Sequence, residues 1–241
     1  MILLVDAGNT RIKWGVVDAD SWVAEGALAH HEIAALGDVA AGYPALARVV
    51  GANVAGADVA RAIASATARV APPEWLTASA ERCGVRNGYE DPARLGADRW
   101  AALIGARALH AQDCVVVMAG TATTVDLLDA SGAFLGGLIL PGEDLMRRAL
   151  AGNTAQLPFA EGRYVAAPRN TADAIVSGCL NEQAGAIDRL FGRIADRPGA
   201  RCLLSGGGAG RLEELLGMPL ARIDNLVLKG LAIVARDDAA A

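Results

Sequence analysis

One feature constrains this chain's fold more than any other: an internal echo. Leu3-Leu4-Val5-Asp6-Ala7-Gly8 near the N-terminus is matched by Val115-Val116-Val117-Met118-Ala119-Gly120 near the middle. Each is an apolar strand that runs into an x-Ala-Gly turn, with Asn or Thr next and a second strand beyond. A unit seen once per half predicts an α/β chain of two similarly folded domains, 1–112 and 113–241, facing each other across a cleft. Pattern alone leaves open that two ordinary hairpins resemble each other by chance.

The bulk properties permit such a fold. At 241 residues, 53% hydrophobic and 20% charged, the chain can bury a large core without staples. Its net charge of −5 argues against a nucleic-acid partner, which calls for a basic field. Cys83, Cys114, Cys179 and Cys202 form no C-x-x-C pair and read as reduced core thiols, consistent with a cytoplasmic location. The opening MILLVDAGNT lacks a basic n-region, so it does not read as a signal peptide, and no apolar run suits a membrane.

Three glycine-bearing loops carry the chemistry. In the first, Asp6-Ala7-Gly8-Asn9-Thr10-Arg11-Ile12-Lys13, Gly8 lets backbone approach an anion and Asn9 and Thr10 offer neutral donors. Asp6 ends a strand, where it can hold a hydrated Mg²⁺. Lys13 is one of only two lysines, with Lys229, and reads as a point-charge phosphate contact. The second loop, Gly120-Thr121-Ala122-Thr123-Thr124, joins two strands and offers backbone N–H groups and hydroxyls. The third, Ser205-Gly206-Gly207-Gly208-Ala209-Gly210, follows a strand and precedes a helix, and is neither a Walker A nor a Rossmann fingerprint. A polar hairpin turn, a threonine-rich β-turn and a plain glycine loop are the bland alternatives. The order of the three together favours a nucleotide site.

A fourth segment, Gly96-Ala97-Asp98-Arg99, opens a helix read over Asp98–His110. Asp98 can serve as the base that takes a hydroxyl proton in phosphoryl transfer, or simply as that helix's N-cap. Arg99 offers a fork for a carboxylate.

With these motifs the chain resembles the acetate and sugar kinase, Hsp70 and actin superfamily, and within it the type III pantothenate kinases, over nearly its whole length. The resemblance implies actin-like, ribonuclease H-like domains. It implies Mg²⁺-dependent transfer of phosphate from ATP to pantothenate, the first step toward coenzyme A, with Asp98 as general base. It assigns Asp6, Ala7, Gly8, Asn9, Thr10, Arg11, Ile12, Lys13, Thr121, Gly206 and Gly207 to ATP. Tyr89, Gly96, Ala97, Asp98 and Arg99 fall to pantothenate, joined by Thr171 from the neighbouring subunit of a homodimer. His30, His31 and His110 match nothing and read as structural or exposed. One position departs from the pattern: Met118 stands where relatives often carry an aspartate that helps bind a monovalent cation. A thioether is a poor ligand for K⁺ or NH₄⁺, which puts that site in doubt. The alternatives are a non-catalytic accessory factor for a transcriptional regulator and a sugar kinase of the same superfamily. The intact set Asp6, Lys13, Asp98, Arg99 and Thr121 argues against the first, and the Gly96–Arg99 segment against the second.

Overall fold

A computed structural model describes residues 1–157, 159 and 161–240, which cluster into two compact units: Met1–His110 with Asn225–Ala241, and Ala111–Asp224. In the first unit β1 (Ile2–Ala7), β2 (Arg11–Asp18), β3 (Ser21–Ala29), β4 (Arg48–Asn53) and β5 (Glu74–Trp75) form a sheet of order β3-β2-β1-β4-β5. β2 is antiparallel to β1 and β4 is parallel to it. Leu3, Val5 and Ala7 alternate into a core shared with Ile12, Val16 and Val49, which leaves Asp6 on the opposite face. Helices α1 (Leu36–Gly42) and α2 (Ala57–Ala66) follow β3 and β4. A small hairpin of β6 (Glu81–Arg82) and β7 (Val85–Asn87) precedes α3 (Ala97–Leu109).

The second unit repeats the plan. β8 (Cys114–Ala119), β9 (Ala122–Leu128), β10 (Ala133–Pro141), β11 (Arg201–Ser205) and β12 (Leu220–Arg222) take the order β10-β9-β8-β11-β12. Here too the hairpin partner is antiparallel and the fourth strand parallel to the first. Two five-strand segments of the same order, each opening on the echoed sequence, are difficult to reconcile with chance. Helices α4 (Glu143–Asn153), α5 (Thr171–Phe191) and α6 (Ala209–Glu213) complete this unit. Val115, Val117, Val125, Leu127, Cys202 and Leu204 pack with Val176, Leu180 and Ile187 of α5.

The last helix, α7 (Leu226–Ala240), belongs to the first unit, whereas the sequence reading put residues 113–241 together. It lies against α3 at very short range: a Cβ on Gly230 would come within 1.8 Å of the Ala101 carbonyl oxygen. Only a glycine lets two helix backbones meet so closely. The chain's end is not frayed as far as Asp238. Arg48 donates to the Ala235 carbonyl at 2.8 Å, and Arg82 pairs with Asp238. Ala241 lies outside the described residues.

α2 ends at Ala66, where Thr67 turns its hydroxyl back to the Ile63 carbonyl at 2.9 Å. Pro141 closes β10, and α4 begins at Glu143. The β6–β7 hairpin lies between β5 and the Gly96–Arg99 segment. Cys114, Cys179 and Cys202 are buried thiols, while Cys83 is only partly covered.

Candidate functional site

The first loop is built on β1 and β2. Asp6 pairs across the ladder with Lys13, and the Gly8 N–H closes the turn on the Arg11 carbonyl at 3.2 Å. Asn9, Thr10 and Arg11 are exposed at its tip. His30, which begins a short 3₁₀ turn after β3, sets Nε2 2.9 Å from the Gly8 carbonyl oxygen. The Asp6 carboxyl is pushed up to about 7, first by burial and then by the negative charge of Asp98, with Lys13 pulling the other way. The carboxylates of the first loop and of α3 are therefore close enough to repel.

Asp98 sits in the first turn of α3, but it is not the N-cap: that position is Gly96. The Asp98 carboxylate accepts the N–H of Arg99 at 2.8 Å, which fixes the side chain at the helix start. Arg99 is buried, 5% exposed, and its Nη1 donates to the Tyr89 hydroxyl at 2.6 Å. Its guanidinium also lies 5.4 Å from the Tyr89 ring centroid. Tyr89 is held from behind, its N–H donating to Asn87 Oδ1 at 3.1 Å while Asn87 Nδ2 donates to the Pro92 carbonyl at 3.1 Å. Tyr89, Asp98 and Arg99 thus form one braced group.

In the second unit the Gly120 N–H turns onto the Ala122 carbonyl at 3.1 Å and leaves Thr121 exposed. Thr123 points the other way and is buried, its hydroxyl donating to Gln183 Oε1 at 2.5 Å. Gly206 has φ +102, and a Cβ there would meet the Ala119 carbonyl oxygen at 2.3 Å. That carbonyl accepts the N–H of Gly208 at 3.0 Å. The glycine loop is thereby tied to the strand that leads into Gly120-Thr121. Ser205 is the last residue of β11 and not a loop residue, and α6 is too short to offer a helix dipole of any weight.

Met118 lies between Thr124 on β9 and Ser205 on β11 in one cross-strand row. The Thr124 and Ser205 hydroxyls are buried without a partner among the described residues. That row offers a thioether and two neutral hydroxyls, with no carboxylate.

Thr171 is the first residue of α5, and the cap is Asn170, which accepts the Asp173 N–H at 2.9 Å. Thr171 is exposed on the rim of a groove of about 1180 Å³, lined also by Met146, Leu150, Ile175 and Cys179. The sequence pointed to neither this groove nor His30. The groove arises from how α4 and α5 pack, and His30 bears no motif.

A sequence model of the type III pantothenate kinase family matches residues 2–193. The chain belongs to the type III pantothenate kinase family. The family's protein from Aromatoleum aromaticum is 74% identical over 242 residues, covering all of both chains. Among solved structures, a putative Baf family transcriptional activator from Campylobacter jejuni superposes with TM-score 0.66 at 19% identity, covering 99% of this chain and 100% of that one. A putative 2-dehydro-3-deoxygalactonokinase from Sinorhizobium meliloti gives 0.62 at 16% identity, covering 100% and 99%. At such identities these two carry the fold alone, the α/β, actin-like architecture that the resemblance implies. Membership in a kinase family makes the chain an enzyme, a phosphotransferase. Among the described residues no helix is long and apolar enough to cross a membrane.

Proposed function

We propose that this chain transfers the γ-phosphoryl group of ATP to the primary hydroxyl of pantothenate, giving 4′-phosphopantothenate and ADP, the first step toward coenzyme A. The observation that carries the reading is the electrostatic coupling of Asp6 and Asp98. It links a phosphate loop to the substrate motif. Asp98 takes the hydroxyl proton as the oxygen attacks phosphorus and the bond to the departing ADP oxygen breaks. Tyr89 and Arg99 hold the substrate end, with the Arg99 fork toward the pantothenate carboxylate. Lys13 and the Gly8–Arg11 turn are the nucleotide contacts of the first unit, and Thr121 with Gly206–Gly207 are those of the second.

Mg²⁺ fits at Asp6. Two repelling carboxylates, one of them raised to about 7, gain from a divalent cation, which Asp6 would hold through water. Bound with ATP, the ion would neutralise charge on the phosphates. A hard monovalent cation does not fit the Met118 row in the same way. Thr171 reaches the substrate of a second copy of the chain, which makes the working unit a homodimer. A cytoplasmic setting accords with the three buried cysteine thiols.

The test is ADP release measured with pantothenate and with a panel of sugars and short acids. Turnover confined to pantothenate and close analogues is expected. Equal turnover with N-acetylhexosamines would remove the reading. Mixing Asp98→Asn chains with Thr171→Arg chains should restore part of the activity, and a fully active monomer in sedimentation would exclude the shared site.

A further inference from the structure

His30 matches no motif, yet it touches the loop on which the nucleotide reading depends. Its Nε2 stands 2.9 Å from the carbonyl oxygen of Gly8. A carbonyl oxygen only accepts, so Nε2 must carry the proton, and both the cationic ring and one neutral tautomer meet that need. The ring is placed firmly. β3 runs beside β2 to the pair Arg11–Ala29, and the Ala29 N–H then donates to Glu32 Oε2 at 2.8 Å, which starts the 3₁₀ turn at His30.

The consequence lies in the geometry of the peptide plane. The carbonyl of Gly8 and the N–H of Asn9 belong to one rigid trans unit and point in opposite directions. Holding the oxygen toward His30 therefore turns the Asn9 N–H away from it. Among the described residues that N–H makes no hydrogen bond, and Asn9 is exposed at the loop tip. We infer that His30 is a positioning residue for the first phosphate loop: it clamps the Gly8–Asn9 peptide so that the Asn9 N–H is presented to a nucleotide phosphate oxygen. This rests on the nucleotide reading of that loop. An unclamped Gly8 has the freest backbone of any residue, so without His30 the peptide would sample orientations in which the donor is lost.

His30→Leu removes the donor at similar bulk, and His30→Gln keeps an N–H near the place of Nε2. The measurements are the calorimetric Kd for Mg·ATP, kcat, the KM for each substrate, and the melting midpoint without nucleotide. A preorganising hydrogen bond of ordinary strength predicts about a fivefold to tenfold rise in Kd and KM for Mg·ATP in His30→Leu. His30→Gln should return both to within about threefold of wild type. The KM for pantothenate and the melting midpoint should not move. Unchanged Mg·ATP affinity in His30→Leu would overturn the proposal, as would a loss that tracks a lower melting midpoint or that His30→Gln fails to rescue. Wild-type chain that binds no Mg·ATP would instead overturn the nucleotide reading, and this proposal with it.

Discussion

The two halves share a frame and differ in what they hang on it. Each has a five-strand segment of the same order, and each begins with an apolar strand, an Ala-Gly turn and an antiparallel return. In the first, Ala7 pairs with Ile12. In the second, Ala119 pairs with Thr123, so that turn is one residue tighter. At the equivalent strand end the first half sets a carboxylate, Asp6, opposite an ammonium, Lys13. The second sets a thioether, Met118, opposite a hydroxyl, Thr124. At this place the first half sets charged side chains, and the second a neutral pair. The backbone needs of a strand-turn-strand unit are met by alternation and one glycine, so the side chain at the strand end is free to differ. The first half has a further distinction: α7 returns from the far end of the chain to brace α3.

Four experiments test that contrast. The largest effect is expected from Asp98→Asn, which should cut kcat by about 10²–10⁴-fold with Mg·ATP affinity nearly unchanged. Retention of more than about a tenth of kcat in steady-state assays would mean the first half does not hold the base. Next is Gly230→Ala, whose new methyl must displace the Ala101 backbone. Overpacking of this kind costs about 1–3 kcal/mol, read from denaturant midpoints at an unchanged m-value. A neutral outcome would show that α7 is not a rigid brace.

The third concerns pH. Asp6 is raised from 3.8 to about 7 in the folded, ligand-free chain. Between those values the folded state keeps a proton the unfolded state has lost, so its contribution favours folding below about pH 4 and is lost as pH rises toward 7. Denaturation at several pH values should show wild type losing more stability across this window than Asp6→Asn. Asp98→Asn should lower the Asp6 midpoint in a carboxyl NMR titration, because it removes the like charge. The smallest effect belongs to the second half. Titrating KCl and NH₄Cl against choline chloride at constant ionic strength should leave wild-type rates flat, while Met118→Asp should gain a cation dependence. Steep activation of wild type by millimolar K⁺ would show that other groups hold the ion.

Much of the frame could be read along the chain because it is local. β1, β8 and β9 announce themselves as apolar runs ending in glycine turns, and α3 shows helical spacing. β3 was not legible: Ser21–Ala29 is an exposed sheet edge, rich in Ala and interrupted by Glu25 and Gly26, and pairing with β2 alone makes it a strand. β12, three residues long, is too short to carry a period. The site divides in the same way. Asp6, Lys13, Asp98 and Arg99 stood out by residue type and motif, but the bracing of Arg99 by Tyr89 and the hold of His30 on Gly8 did not.

The sequence alone thus settles the longer apolar elements, the duplicated hairpin and the identity of the charged groups, since turn chemistry and side-chain alternation act over a few neighbouring residues. Only the tertiary structure decided that α7 joins the first half, that Gly96 and not Asp98 caps α3, and that the Asp6 carboxyl is lifted to about 7. Burial and Coulomb repulsion depend on distance through space, and residues as far apart along the chain as Asp6 and Asp98 acquire such a distance only when it folds.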